Sequence, residues 1–115
     1  QNNIAVITGA GSGIGKATRH LLAAQGCRVY NLDLAAPEGE PTDLFIACDV
    51  RDKHQIRAAI AEVQRREGRI NYLFANAGIH LFATMEETTD DELENVVATN
   101  LFGPFYTVQA VVPIM

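Results

Sequence analysis

The sequence predicts an α/β fold: a doubly wound parallel sheet with helices on both faces, in three α/β/α layers. Two observations carry this prediction. Short apolar runs alternate with helix-like segments along the 115 residues, and the first apolar run leads directly into a glycine-rich turn. Strands that alternate with helices pair in parallel, because each crossover returns the chain to the same end of the sheet. Right-handed crossovers then give the strand order 3-2-1-4.

The first elements follow from apolar periodicity and from the residues that end each segment. The four strands are predicted at residues 3–8, 28–33, 44–48 and 70–75. The connection 34–42 holds two prolines and a glycine, so no regular element is expected there. A first helix is predicted at 14–25, with one apolar face. That face consists of Ile14, Ala17, Leu21 and Leu22.

Two further helices are marked by capping residues. Asp52, with a glutamine three residues later, predicts the start of a second helix that ends at Gly68. Thr89, with a glutamate three residues later, predicts the start of a third. Because Pro104 removes a helix hydrogen bond, this third helix is expected to bend or break near Asn100.

The glycine-rich turn after the first strand predicts a phosphate site. Glycines allow the backbone to turn tightly and to approach a ligand, and the N–H groups at the start of the following helix point at an anion. The residues expected to contact the cofactor here are Gly9, Ser12, Gly13, Ile14 and Gly15.

A carboxylate completes this prediction. Asp33 ends the second strand about 20 residues after Gly13, where a dinucleotide-binding unit contacts the adenosine ribose. At 115 residues the chain is expected to be one small Rossmann-like domain or part of a larger one. A 2′-phosphate would be repelled by Asp33, and neither the neighbouring Leu34 nor Ser12 offers a base. The predicted cofactor is thus NAD, with Leu34 lining the same part of the site.

Residues 10–17 also come close to the phosphate loop of nucleotide triphosphatases. Lys16 stands where that loop has its lysine, but Ala10 replaces the first glycine and Ala17 replaces the hydroxyl that holds Mg²⁺. Without that hydroxyl the metal loses a protein ligand, so a triphosphatase is a distant alternative.

Composition excludes several other classes. The net charge is −5 and the one basic cluster lies at a predicted helix end, so no nucleic-acid footprint is present. No apolar run approaches the roughly 18 residues of a membrane span. Cys27 and Cys48 lack metal-ligand spacing and lie in apolar segments, so we expect no metal site, reduced thiols and a cytoplasmic location.

With these motifs in order, the chain resembles the short-chain dehydrogenase/reductases throughout its length. The glycine turn looks like the family's phosphate turn, and Asp49 and Val50 stand where the family holds the adenine ring. Asn76, Ala77 and Gly78 resemble the family's Asn-Ala-Gly motif, which lines the cofactor cleft. Asn100 stands at the family's helix-kink asparagine, one of four catalytic residues.

The resemblance implies hydride transfer between NAD and a small alcohol or carbonyl substrate, in a homodimer or homotetramer. The family's Tyr-x-x-x-Lys pair does not occur in these 115 residues, and its catalytic serine would come after them. We therefore expect the chain to be the amino-terminal part of a longer enzyme and to be inactive alone. A non-catalytic module that binds or senses NAD(H) is the alternative.

The single residues also have structural explanations. Asp49 could merely cap the second helix, Asn76 could be a turn residue and Asn100 could only stabilise the helix break. His80 is expected to be a loop residue near the cleft without a catalytic role.

Overall fold

The computed structural model describes residues 2–115. Its four strands form one parallel sheet in the order β3-β2-β1-β4, which confirms the predicted order. The strands are β1 (Ile4–Thr8), β2 (Arg28–Asp33), β3 (Phe45–Ala47) and β4 (Tyr72–Ala75). The helices are α1 (Gly13–Ala24), α2 (Lys53–Glu67), α3 (Asp90–Val97) and α4 (Gly103–Val111). A π-helical turn, Ala98–Phe102, joins α3 to α4.

Helices cover both faces of the sheet, so the three-layer prediction is also confirmed. On one face, α2 and α4 pack against β1 and β2 through a large apolar core that includes Val6, Leu32, Ile60 and Val111. On the other face, α1 packs against a smaller cluster around Ile7. Burial of these side chains is the main stabilising contribution, at roughly 1.5–3 kcal/mol for each large one.

The helix ends match the capping signals in the sequence. Asp52 caps α2 by accepting a hydrogen bond from the His54 amide at 2.9 Å, and Gly68 ends that helix in a left-handed conformation. Thr89 and Glu92 form a reciprocal capping box at the start of α3. The bend or break expected near Asn100 takes the form of the π-helical turn, so the helix widens there but does not break, and Pro104 lies in the first turn of α4.

The predicted bounds of two strands were partly wrong, and one helix face is less buried than its apolar pattern allows. Strands β3 and β4 are shorter than predicted, because each pairs with a single neighbour at an edge of the sheet. The predicted apolar face of α1 is only partly buried: Leu22 packs against the core, whereas Ile14 is 73% and Leu21 is 59% exposed. Helix α1 packs mainly over β1 and β2, which leaves the side carrying Ile14 and Leu21 open.

Within residues 2–115, no helix is long and apolar enough to cross a bilayer. The same residues contain no group of three or more metal-binding side chains. Both cysteines are free thiols. Cys48 lies in the core, where burial raises the pKa of its thiol to about 11, and Cys27 is half-buried.

Candidate functional site

The carboxyl ends of β1, β2 and β4 meet at one open cleft of about 740 Å³. Ligands of open α/β sheets bind at this edge, outside the carboxyl ends of the strands. All but one of the residues predicted to bind the cofactor or to act in catalysis line the cleft. They are Gly9, Ser12, Gly13, Ile14, Asp33, Leu34, Asp49, Val50, Asn76, Ala77, Gly78 and Asn100.

Gly15 is the exception, because it lies buried behind the turn. A Cβ added there would lie 2.4 Å from Asn76 Nδ2 and 2.5 Å from the Gly9 carbonyl oxygen. Gly15 therefore allows α1 to start close against the turn. Gly13 has a positive φ of 58°, and open space surrounds the position of a Cβ. The turn thus presents a bare backbone and the first amides of α1 to the cleft.

Two polar side chains of β2 hold the glycine turn in place. Asp33 Oδ2 accepts from the Gly11 amide at 3.1 Å, and Asp33 Oδ1 accepts from the Leu34 amide at 2.8 Å. Asn31 Oδ1 accepts from the Ala10 amide at 2.9 Å. Each carboxylate oxygen keeps a further lone pair for a ligand. The Asn31 contact was missed by sequence reasoning, since an asparagine inside a strand carries no recognisable signal.

Asn76 fastens the end of β4 to the turn after β1. Its Nδ2 donates to the carbonyl oxygens of Thr8 and Gly9, both at 3.2 Å. The amides of Asn76 and Ala77 both donate to Thr8 Oγ1 at 3.0 Å. Asn76 is therefore more than a turn residue, because it fixes two strand ends relative to each other.

Asn100 projects from the π-helical turn onto the segment that follows β4. Its Oδ1 accepts from the Ile79 amide at 2.8 Å, and its Nδ2 donates to the Ile79 carbonyl oxygen at 2.7 Å. The side chain thus holds both peptide groups of Ile79, and each of its polar atoms keeps one hydrogen-bonding position. His80 follows Ile79 at the cleft and stacks on Phe82 with ring centroids 6.0 Å apart.

Asp49 and Arg51 also line the cleft, and they are paired with each other. The Arg51 guanidinium donates to both carboxylate oxygens of Asp49, at 3.0 Å from Nε and 2.6 Å from Nη2, and to Asn95 Oδ1 at 2.5 Å from Nη1. The guanidinium beside Asp49 holds the pKa of that carboxyl below its usual range, although partial burial opposes this shift. The explanation of Asp49 as the cap of α2 is wrong, because Asp52 is the cap.

Lys16 disfavours the triphosphatase alternative. Its ammonium lies 3.5 Å from Glu40 on the loop between β2 and β3, and it is not part of the cleft wall. The nearby Thr18 hydroxyl donates to the Ile14 carbonyl oxygen at 2.8 Å. Neither group is placed to bind a phosphate or a metal in the cleft.

Comparison with known proteins places this geometry in a family. The short chain dehydrogenase family model matches residues 3–115. The chain belongs to the short-chain dehydrogenase family. The 3-ketodihydrosphingosine reductase of Bacteroides thetaiotaomicron is 33% identical over 115 residues, which are 100% of the chain and 43% of that protein.

Solved structures agree with this assignment. The ligand-free aldohexose dehydrogenase of Thermoplasma acidophilum superposes with a TM-score of 0.95 at 31% identity, over 100% of the chain and 45% of that protein. A 3-ketoacyl-(acyl-carrier-protein) reductase of Brucella melitensis, complexed with NADH, superposes with a TM-score of 0.89 at 27% identity. The match covers 99% of the chain and 50% of that protein. The chain therefore has the Rossmann-like fold of the family and spans about half the length of the relatives it matches.

Proposed function

We propose that residues 1–115 are the amino-terminal, cofactor-holding part of an NAD-dependent short-chain oxidoreductase. The whole protein would transfer hydride between nicotinamide and the carbon of a small alcohol or carbonyl compound. The observation that carries the proposal is the contact between Asp33 Oδ2 and the Gly11 amide, 3.1 Å apart. It joins a carboxylate suited to ribose hydroxyls with a turn suited to phosphates in one rigid unit.

Each wall of the cleft has a distinct role in this proposal. The turn 9–13 and the first amides of α1 would hold the pyrophosphate, which their partial positive charge favours. Asp33 would accept hydrogen bonds from both ribose hydroxyls, with Leu34 beside it, and would repel a 2′-phosphate. Asp49 and Val50 would bind the adenine. NAD, when bound, supplies the hydride acceptor.

The other end of the cleft would serve the reaction. Asn76, Ala77 and Gly78 would line the passage toward the nicotinamide. Asn100 would act in catalysis by fixing Ile79 and by holding a water with the free positions of its amide. The proton transfer itself would need an acid/base group from the rest of the whole protein, so residues 1–115 alone would be inactive.

The assembly and location belong to the same proposal. A homodimer or homotetramer is supported by the exposed apolar side chains of α4, among them Phe105, which is 61% exposed. A cytoplasmic location is supported by the two free thiols.

A pair of glycine variants tests the proposed phosphate site. Gly13 and Gly39 both have positive φ, and open space surrounds each at the position of a Cβ, but only Gly13 lines the cleft. A valine at either position would have to adopt a left-handed backbone conformation, which destabilises the fold by roughly 1–2 kcal/mol in both variants. Calorimetry on the whole protein should show that Gly13→Val abolishes NAD binding while Gly39→Val leaves it intact.

Three outcomes separate the alternatives. Retained micromolar NAD affinity in Gly13→Val would refute the phosphate site. Binding of NAD without its reduction by any of a panel of simple alcohols would favour the non-catalytic sensing module. Binding of ATP with Mg²⁺ in place of NAD would favour a triphosphatase.

A further inference from the structure

Arg51 joins two segments of the cleft wall that are far apart in sequence. Its guanidinium holds both oxygens of Asp49, which follows β3, and the side-chain oxygen of Asn95, which lies on α3. All three residues line the cleft. The planar fork of an arginine suits this task, because it donates to a carboxylate through two nitrogens and keeps a third for another acceptor.

The Asp49 carboxylate has few other restraints. The Arg51 amide donates to Asp49 Oδ1 at 3.0 Å, and every other hydrogen bond to this carboxylate within residues 2–115 comes from the Arg51 guanidinium. Gln55 holds only the main chain, by accepting from the Asp49 amide at 2.9 Å. The plane of the carboxylate therefore depends on Arg51.

The contact with Asn95 reaches toward the reactive end of the cleft. Asn95 lies on the helix that continues through the π-helical turn to Asn100, and Asn100 holds both peptide groups of Ile79. A helix transmits the position of one turn to the next. Arg51 thus contacts the Asp49 carboxylate directly and is connected through Asn95 and its helix to the side chain that holds Ile79.

We propose that Arg51 is a positioning residue that orients the Asp49 carboxylate toward the exocyclic amine of the cofactor's adenine and anchors α3 through Asn95. This inference rests on the proposed NAD site. It assigns selectivity for the amine to the Asp49–Arg51 pair, and it makes turnover depend on the Asn95 contact.

The probe for selectivity is nicotinamide purine dinucleotide, in which a hydrogen atom replaces the adenine amine and the rest of the ring keeps its acceptors. The carboxylate loses its donor there without gaining another, so the unaltered whole protein should bind NAD at least tenfold more tightly than the purine cofactor. Arg51→Ala should reduce this ratio to about threefold or less. Arg51→Lys, which keeps the charge without the fork, should recover only part of it.

Two further variants complete the design. Asn95→Ala leaves the Asp49–Arg51 contact in place, so kcat should fall at least threefold while the cofactor ratio and the KM for NAD stay unchanged. Arg65→Ala is the matched control: Arg65 forms the same forked pair with Glu62, at 2.9 and 2.6 Å, on the exposed surface of α2 outside the cleft. Arg65→Ala should change neither kcat nor the cofactor ratio.

The outcomes distinguish this inference from the function on which it rests. If Asp49→Ala abolishes the cofactor ratio but Arg51→Ala and Arg51→Lys preserve it, the positioning role is overturned and the adenine contact stands. If the unaltered protein does not distinguish the two cofactors, the proposed adenine site itself fails. An unchanged kcat in Asn95→Ala overturns the anchoring of α3. Should Arg51→Ala fold poorly by circular dichroism, Arg51→Lys and Asn95→Ala still decide the question.

Discussion

A single methyl group added at Gly11 tests whether the glycine turn and Asp33 act as one unit. A Cβ at Gly11 would lie 2.7 Å from Asp33 Oδ2, which is too close for either atom to stay in place. The φ of Gly11 is not positive, so alanine meets no backbone strain there. The carboxylate must therefore turn away and lose its hydrogen bond from the Gly11 amide.

The size of the effect follows from that bond. A hydrogen bond to a charged group contributes about 1.5–3 kcal/mol, and the displaced carboxylate also loses its alignment with the ribose. We expect Gly11→Ala to weaken NAD binding about 10- to 100-fold. The melting temperature should fall by only a few degrees, because the gain of about 0.4–1 kcal/mol from replacing glycine by alanine offsets part of the lost hydrogen bond.

A double-mutant cycle provides the assay. NAD dissociation constants are measured by calorimetry for the unaltered whole protein, Gly11→Ala, Asp33→Ala and the double variant. Since Asp33→Ala removes the group that the methyl displaces, Gly11→Ala should have almost no effect in that background. An equal loss of affinity in both backgrounds would show that the turn and the carboxylate act independently.

Three other predictions concern single residues. Asn100→Ala should lower kcat more than NAD affinity in steady-state kinetics, and an unchanged kcat with a lowered melting temperature would leave it a purely structural role. Hydrogen bonds, the larger effect from Arg19 and the smaller from His20, hold the pKa of Glu40 at about 2, below its usual 4.5. The stability that this carboxylate contributes is therefore lost as the pH falls from 4.5 to about 2. Thermal melts between pH 5 and 2 should show a shallower decline for Glu40→Gln, and identical profiles would contradict the ion pair. The thiol of Cys48 is buried and its pKa is raised to about 11, so a thiol reagent at pH 8 should modify it only after unfolding. Mass spectrometry measures the labelling, and rapid modification of the native protein would contradict this prediction.

The sequence was sufficient to predict the fold because its signals are local. Glycines at the turn, capping residues at Asp52 and Thr89, and alternating apolar runs fix the elements, and right-handed crossovers fix their order. The burial of α1 could not be predicted in the same way. An apolar stripe such as Ile14 and Leu21 indicates a face that can be buried, but neighbouring elements decide whether it is.

Residues of the site that sequence reasoning missed depend on long-range packing. Arg51, which was missed, contacts Asn95 across 44 residues of sequence, and Ile79, also missed, contacts the predicted Asn100 across 21. An arginine after a strand carries no pattern that names its partner. That the turn residues and Asp33 line the same cleft was predictable, because their spacing along one strand–helix–strand unit sets their separation in space.

The most direct test of the proposed cofactor site is to compare the affinity of the whole protein for NAD and for NADP by calorimetry. Two like charges about 4 Å apart repel by about 4 kcal/mol at an effective dielectric near 20, and screening by salt reduces this at a half-exposed site. NAD should therefore bind at least tenfold more tightly than NADP, and Asp33→Ala should remove most of that preference. Equal affinities in the unaltered protein, or an unchanged preference in Asp33→Ala, would contradict the assignment of Asp33 to the ribose.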